Sequence, residues 1–255
     1  MEVALLTIGD ELLAGDTVNT NATWLAERLS ERGVTVTRIL TIPDDRSLIA
    51  SRVREYSDAF DAVIVTGGIG NTPDDVTIDA VADAFDRDLV VSEQARADIE
   101  ETLAALEGTI PDLDVDIGAE ATIPEGARPL LNPEGLAPGC VVENVYVLPG
   151  IPRELKGIFD TVADEFAGEA VSHFLYTIEP EANIVPSLEA VTEEFDVTVG
   201  CYPDRDANHN RLKLTATDEE TLAGATAWLR ERVDASETPV ERDWSERDAY
   251  SEDQT

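Results

Sequence analysis

The sequence predicts an α/β protein: a three-layer, doubly wound, mostly parallel sheet over residues 1–168, then a smaller α+β domain over 171–235. Three observations carry that reading. Bare apolar runs at 3–8 and 62–65, each followed closely by a glycine turn, have the pattern of strands buried on both faces. Segments of helical periodicity alternate with them, which is the grammar of a parallel sheet with helices on both sides. Past residue 171 the alternation gives way to a compact β-α-β-β-α order, the mark of a second domain.

The first strand, 3–8, ends in Gly9-Asp10-Glu11. Ala22, Leu25, Ala26 and Leu29 then mark one helical face, with a start near Asn19 or Asn21 and a stop at Gly33. Residues 34–42 are β-rich, 48–56 helical, and 62–65 a strand held between Asp61 and Thr66. After a glycine-rich turn, 76–85 and 92–106 read as helices. An irregular stretch with Pro111, Pro124, Pro129, Pro133 and Pro138 follows, then a strand over 141–148, the turn Pro149-Gly150-Ile151-Pro152 and a helix to about 166. In the second domain the pattern gives strands at 173–178, 197–201 and 211–217, and helices at 187–195 and 218–233. From 236 to 255 the chain is polar and acidic, with Trp244 and Tyr250 its only large apolar groups, and reads as a disordered tail.

Composition bounds the function. The 255 residues are 43% hydrophobic and 28% charged, an ordinary globular balance with a sizeable core. No run approaches the ~18 apolar residues of a membrane span, and Met1-Glu2-Val3-Ala4-Leu5-Leu6 lacks the features of a signal peptide, so a cytoplasmic location is expected. Charge is the outlier: 54 acidic against 18 basic side chains give −36, and Lys156 and Lys213 are the only lysines. Such a surface repels nucleic acid. Its even spread of acid resembles that of proteins from salt-accumulating halophiles, where concentrated salt screens the self-repulsion. Cys140, Cys201, His173 and His209 share no ligand spacing, so neither a disulfide framework nor structural zinc is expected, and nothing points to haem or flavin.

The chemistry gathers in two acidic turns. In Thr66-Gly67-Gly68-Ile69-Gly70-Asn71-Thr72-Pro73-Asp74-Asp75, between a strand and a helix, three glycines let backbone amides approach an anion. No Gly-Lys-Ser/Thr follows, so this is not a Walker loop. Asp74 and Asp75 would repel phosphate unless a divalent cation lay between, which makes them candidate ligands of a hard metal. The same residues admit a plainer reading, with Thr72 the N-cap, Pro73 the first helical residue and Asp75 the third-position acid of a capping box. The second turn, Gly9-Asp10-Glu11-Leu12-Leu13-Ala14-Gly15-Asp16, with Asn19-Thr20-Asn21 beyond it, lies at the carboxyl end of the first strand, where open α/β sheets bind ligands. Here too the alternative is solvated turn acids and helix-capping asparagines.

These stretches together resemble the molybdopterin-binding (MoaB/Mog-like) domain, and most closely the form at the N-terminus of the competence/damage-inducible CinA family. The matching residues are Gly9-Asp10-Glu11-Leu12-Leu13, Gly15, 19–21, 66–70, 72–77, Asn132-Pro133-Glu134-Gly135, Ala137-Pro138-Gly139 and 148–154. Asn71 departs from the pattern, standing where that family usually has proline. The segment from about 173 to 233 looks like the family's second, KH-like domain. The sequence stops where many members continue into an amidohydrolase domain, and that activity is not expected of these residues.

The resemblance implies a phosphorylated small-molecule ligand, nucleotide or pterin, and hydrolysis of the pyrophosphate of ADP-ribose with a divalent metal such as Mg²⁺, Mn²⁺ or Co²⁺. On that expectation Gly67, Gly68 and Gly70 hold phosphate oxygens, with Thr72, Asn19, Asn21 and Gly150 also on the substrate. Asp74 and Asp75 hold the cation, Asp10 or Glu11 orients water, and Asp75 joins the catalytic set. Molybdopterin adenylylation and a non-catalytic binding module are the alternatives. No membrane partner is expected, and a homo-oligomer is compatible with the family.

Overall fold

The structure, a computed structural model, describes residues 1–106, 115–204 and 207–240, and the chain divides into two units, Met1–Gly168 and Glu169–Thr255. The first unit runs β1 (Glu2–Ile8), α1 (Asp10–Ala14), α2 (Thr20–Glu31), β2 (Thr35–Ile42), α3 (Arg46–Ala59), β3 (Ala62–Thr66), α4 (Thr77–Ala84), β4 (Leu89–Val91), α5 (Glu93–Leu106), α6 (Ile117–Glu120), β5 (Thr122–Pro124), β6 (Arg128–Leu130), β7 (Gly139–Val142), β8 (Val145–Leu148) and α7 (Pro152–Val162). Six strands form one sheet in the order β2-β1-β3-β8-β7-β6. The first four are parallel, and β7 and β6 close the edge antiparallel.

Why β1 is apolar without alternation is plain from its neighbours. Val3 and Leu5 pack with Leu25 and Leu29 of α2 and Ile158 and Phe159 of α7. Ala4 and Leu6 face the other way, against Ile49 and Val53 of α3 and Val81 of α4. Each such buried leucine contributes about 1.5–3 kcal/mol by leaving water.

The expected strand at 141–148 is in fact a hairpin. β7 and β8 pair antiparallel across Glu143 and Asn144, and Glu143 takes a left-handed φ of 51°. Both strands are buried throughout, so they show no alternation, and glutamate is not the residue that normally announces a positive-φ turn. The short elements β4, α6, β5 and β6 were not legible either, being three or four residues long. The part of the expected irregular stretch around Pro111 lies outside the described residues.

The second unit is β9 (Val171–Thr177), α8 (Glu181–Glu194), β10 (Thr198–Asp204), β11 (His209–Ala216) and α9 (Glu219–Arg230). Its sheet is antiparallel, in the order β10-β11-β9. Leu175, Leu212 and Leu214 meet Ile184 and Val191 of α8 and Leu222 and Leu229 of α9 in a core of their own. Helix α8 starts six residues before the expected 187 because Pro186 is carried inside it.

The polar segment expected to be disordered from 236 needs correcting at its start. Ser236 and Tyr176 exchange backbone hydrogen bonds of 2.8 Å each way, and the Val240 carbonyl lies 2.7 Å from His209 Nδ1. β9 is an edge strand, and its unpaired backbone takes a partner whatever the partner's side chains. The rest of that segment, 241–255, lies outside the described residues. No helix among the described residues is long and apolar enough to cross a membrane.

Candidate functional site

The chain passes from β1 to β2 on one side of the sheet and continues through β3 on the other, so the strand order reverses between β1 and β3. A crevice opens at such a point, outside the carboxyl ends. A cavity of about 320 Å³ lies there. It is lined by Gly9 and Glu11 after β1, by Asn19, Thr20 and Asn21 at the start of α2, by Asp44 after β2, by Gly67, Gly68, Asp74 and Asp75 after β3, and by Gly150 after β8.

Thr7 and Thr66 line the cavity from the strand ends, with Thr41 beside them. Thr41, Thr7 and Thr66 stand in register across β2, β1 and β3. Thr7 and Thr41 share a hydrogen bond of 2.7 Å, and Asn19 Nδ2 donates to Thr7 Oγ1 at 3.0 Å while its Oδ1 caps α2 at the Ala22 amide. Thr66 donates to the Pro149 carbonyl, and Asn21 Nδ2 to the Gly150 carbonyl at 2.7 Å. The start of α2, with its partial positive charge, is thereby fixed facing the cavity. Asn21 Oδ1 is buried and has no hydrogen-bond partner among the described residues.

Both glycines after β3 are required by contact. Gly67 has φ 101°, and a Cβ there would lie 2.2 Å from the Ile8 carbonyl oxygen; Gly68 has φ 65°, and its Cβ would lie 2.5 Å from Thr77 Oγ1. The Gly67 amide, expected to hold phosphate, instead donates to Leu148 O at 3.2 Å. That amide joins strands, while Gly68, whose carbonyl takes the Thr77 amide, lines the cavity.

The plainer reading of the acidic turn also changes. Helix α4 begins at Thr77 with Val76 at its N-cap, so Thr72 caps no helix. Instead the Asp75 amide donates to Thr72 O at 2.9 Å, the Asp75 carboxylate accepts from the Thr72 amide at 2.9 Å, and the Thr72 hydroxyl reaches Asp75 Oδ2 at 2.6 Å and Asp74 Oδ1 at 2.5 Å. One hydroxyl proton serves two carboxylates, which leaves acceptor capacity on both. The hydroxyl contact, with the residue's own amide, holds the Asp74 carboxyl below the usual range.

Asp44 is the residue the sequence reading missed. Its Oδ2 accepts the Asp10 amide at 2.9 Å, and burial followed by the charges of Asp10, Glu11 and Asp74 raises its carboxyl above the usual range, against the pull of that amide. The available signal was position: it stands two residues past β2, on the same carboxyl edge as the two turns.

Of the expected site residues, Glu11, Asn19, Asn21, Gly67, Gly68, Asp74, Asp75 and Gly150 line the cavity. Asp10 is not part of the lining; it is exposed at the start of α1, and its charge still acts on Asp44. Gly70 and Thr72 line a second cavity of about 370 Å³, which Asp75 shares and where burial and the charges of Asp75 and Glu154 raise the Glu120 carboxyl. From the other matching stretches, Asn132 is a buried staple, donating to Ala137 O and Glu154 Oε2. Among the described residues no three metal-ligating side chains converge to form a protein-only cage. The donors present, two adjacent carboxylates beside a phosphate-sized space, suit a hard cation that shares its ligands between protein, water and substrate phosphate, as Mg²⁺ does. Burial is the larger cause of the raised Asp44 carboxyl, and the repulsion that adds to it is the kind a cation relieves.

The chain matches two protein families end to end: residues 4–168 match the family described as "Probable molybdopterin binding domain", and 169–240 that described as "FAD synthase, middle domain". It is 36% identical to a protein of Archaeoglobus fulgidus over 91% of this chain and 97% of that one. It is 38% identical to the CinA-like protein of Citrifermentans bemidjiense, over 92% of this chain but 59% of that longer protein. The crystal structure of the protein CinA with unknown function from Thermoplasma acidophilum superposes with a TM-score of 0.58 at 33% identity, over 65% of this chain and 97% of that one.

Proposed function

The chain belongs to the CinA family, with a molybdopterin-binding-type first domain, and from that premise we propose that it hydrolyses the diphosphate of a nucleotide such as ADP-ribose with a divalent metal. The observation that carries the proposal is the convergence of Glu11, Asp44, Asp74 and Asp75 with Gly68 on one cavity at the strand-order reversal. The match of the second unit to a domain of FAD synthase supports the same substrate class, since FAD and ADP-ribose share an ADP diphosphate.

In this reading the Gly68 amide and the start of α2 bind the diphosphate oxygens, and Asn21 meets a donor on the sugar. Asp74 and Asp75 would hold the cation, which when bound neutralises phosphate charge and favours attack by water. Glu11 orients the water and takes its proton as the oxygen bonds to phosphorus. The bridging P–O bond breaks, releasing AMP and ribose 5-phosphate. Asp44, with its raised carboxyl, holds or returns a proton at the same edge.

The family description favours one second reading, transfer of adenylyl to molybdopterin. Incubating the full chain with ADP-ribose, or with ATP and molybdopterin, under Mg²⁺, Mn²⁺ or Co²⁺ separates them. Metal-dependent release of AMP from ADP-ribose is expected. Adenylylated pterin without AMP release from ADP-ribose would transfer the assignment to the second reading, and neither product would leave a binding module.

A further inference from the structure

The sheet of the second unit has one face covered by its helices and another on which, among the described residues, Phe174 and Tyr202 stand exposed while His209 is buried beside Val240. Leu175, Leu212 and Leu214 are fully buried in the helical core. The alternate residues point the other way, and the strand register sets them in rows: Tyr202, Arg211 and Tyr176 in one, Gly200, Lys213 and Phe174 in the next. Phe174 is 37% exposed and Tyr202 50%. The Arg211 guanidinium lies 5.3 Å from the Phe174 ring centre and 5.9 Å from that of Tyr202, and Lys213 Nζ lies 5.8 Å from Phe174. A Cβ at Gly200 would fall 2.5 Å from the Tyr202 hydroxyl, so the Tyr202 ring leans along the strand over residue 200 and glycine is what admits it.

We propose that this face docks a nucleotide, with the base stacked on the Tyr202 or Phe174 ring and one or two phosphates held by Arg211 and Lys213. Aromatic rings flanked by cations suit a planar anion, because stacking accepts any base and a guanidinium grips phosphate oxygens in pairs. Arg211 is steadied between two rings, so less freedom is lost when it binds. Alternate residues of one strand stand about 7 Å apart, a span that one or two phosphates bridge. Charge selects a free nucleotide over a nucleic-acid strand. The chain carries a net −36 and one of its two lysines stands on this face, so each phosphate beyond the patch meets repulsion. Asp204, on the same side of β10 in the row of His209, bounds the patch at that end. The proposal is independent of the cavity in the first unit.

The test is a titration of the isotope-labelled full chain with AMP, read at backbone amides. Shifts are expected at residues 174, 200–202 and 211–213, while amides of Asn21 and Gly68 report the first-unit cavity separately. Tyr202→Ala and Arg211→Gln should each weaken the affinity read on the sheet by about ten-fold or more, Arg211→Lys by less, with thermal melts unchanged. If Tyr202→Ala unfolds, Phe174→Leu takes its place. No shift on the sheet at saturating AMP, or an affinity in both variants unchanged from that of the parent chain, would overturn the proposal. Inorganic phosphate binding as well as AMP would reduce the face to an anion spot, and a single-stranded oligonucleotide binding more tightly than AMP would reassign it to nucleic acid; both results count against it.

Discussion

The two ends of the six-stranded sheet treat the same side chain in opposite ways. At the amino end, in the β7–β8 turn, Asn144 Nδ2 donates to the carbonyls of Ser57 at 3.0 Å and Phe60 at 2.9 Å. Its Oδ1 accepts the Ser57 hydroxyl at 2.6 Å, and its own carbonyl takes the Val63 amide. At the carboxyl end, Asn21 satisfies its Nδ2 on Gly150 and leaves Oδ1 buried without a partner among the described residues, in a cavity where the charges of Asp10, Glu11 and Asp74 act on Asp44. A buried polar atom left unpaired costs stability. One end of the sheet is closed on itself for stability, and the other keeps unmet hydrogen bonds and charge repulsion that a bound ligand would relieve.

The largest effect should come from the carboxyl end. Asp75→Asn is expected to lower metal-dependent AMP release about 100-fold or more while changing thermal stability by no more than about 1 kcal/mol, since asparagine still offers an oxygen to the Thr72 amide. Assays and melts of Asp74→Asn and Asp75→Asn side by side decide it. Full activity in both would erase the contrast between the two ends.

Gly67→Ala comes next, with about 3 kcal/mol of stability lost, because the new Cβ meets the Ile8 carbonyl in a backbone region alanine avoids. Denaturant melts read it directly, and a loss below about 1 kcal/mol would mean that the strand ends can part. The two asparagines then make the sharpest pair. Asn144→Ala should cost about 2–3 kcal/mol and leave turnover alone, whereas Asn21→Ala should cost about 1 kcal/mol or less and weaken substrate binding. Equal stability losses would break the comparison.

A smaller effect follows from Asp44. Its folded carboxyl titrates above the unfolded one, so the folded state binds the proton more tightly and stability falls as pH rises from the unfolded value through the folded one. Asp44→Asn removes that fall. Melts across pH 4–8 should show the variant slightly more stable than the parent at neutral pH and less dependent on pH in that window, at reduced turnover. In the second unit, truncation after Ala235 removes the Tyr176 pairing and the His209 contact and should cost no more than about 1 kcal/mol, measured by melting.

How far the sequence was legible follows from what each feature depends on. The strands β1 and β3, the helices between them and the start of a second domain announce themselves by apolar runs and helical spacing, because burial on two faces leaves a mark that needs no partner to be read. The acidic turns were legible as candidates through residue type and position. Glu143 and Asn144 hid a hairpin, since a glutamate in the left-handed region carries no turn signal. Asp44 was invisible for a different reason: it is an ordinary aspartate after a strand, and only the pairing of β2 with β1 brings it to Asp10 and Glu11.

The sequence by itself therefore determined the order of elements from β1 to α4, the family and the two turns from which a site is built, because these rest on local pattern. The tertiary structure decided which members of those turns face the cavity. Asp10 and Glu11 are adjacent, yet of the two Glu11 lines the cavity; Gly67 and Gly68 are adjacent, yet the Gly67 amide joins Leu148 of β8 while the Gly68 carbonyl takes the Thr77 amide of α4. Neighbours in a chain share composition and spacing, but a helix turn or a single hydrogen bond sends them in different directions, and which direction depends on what the other strands bring alongside.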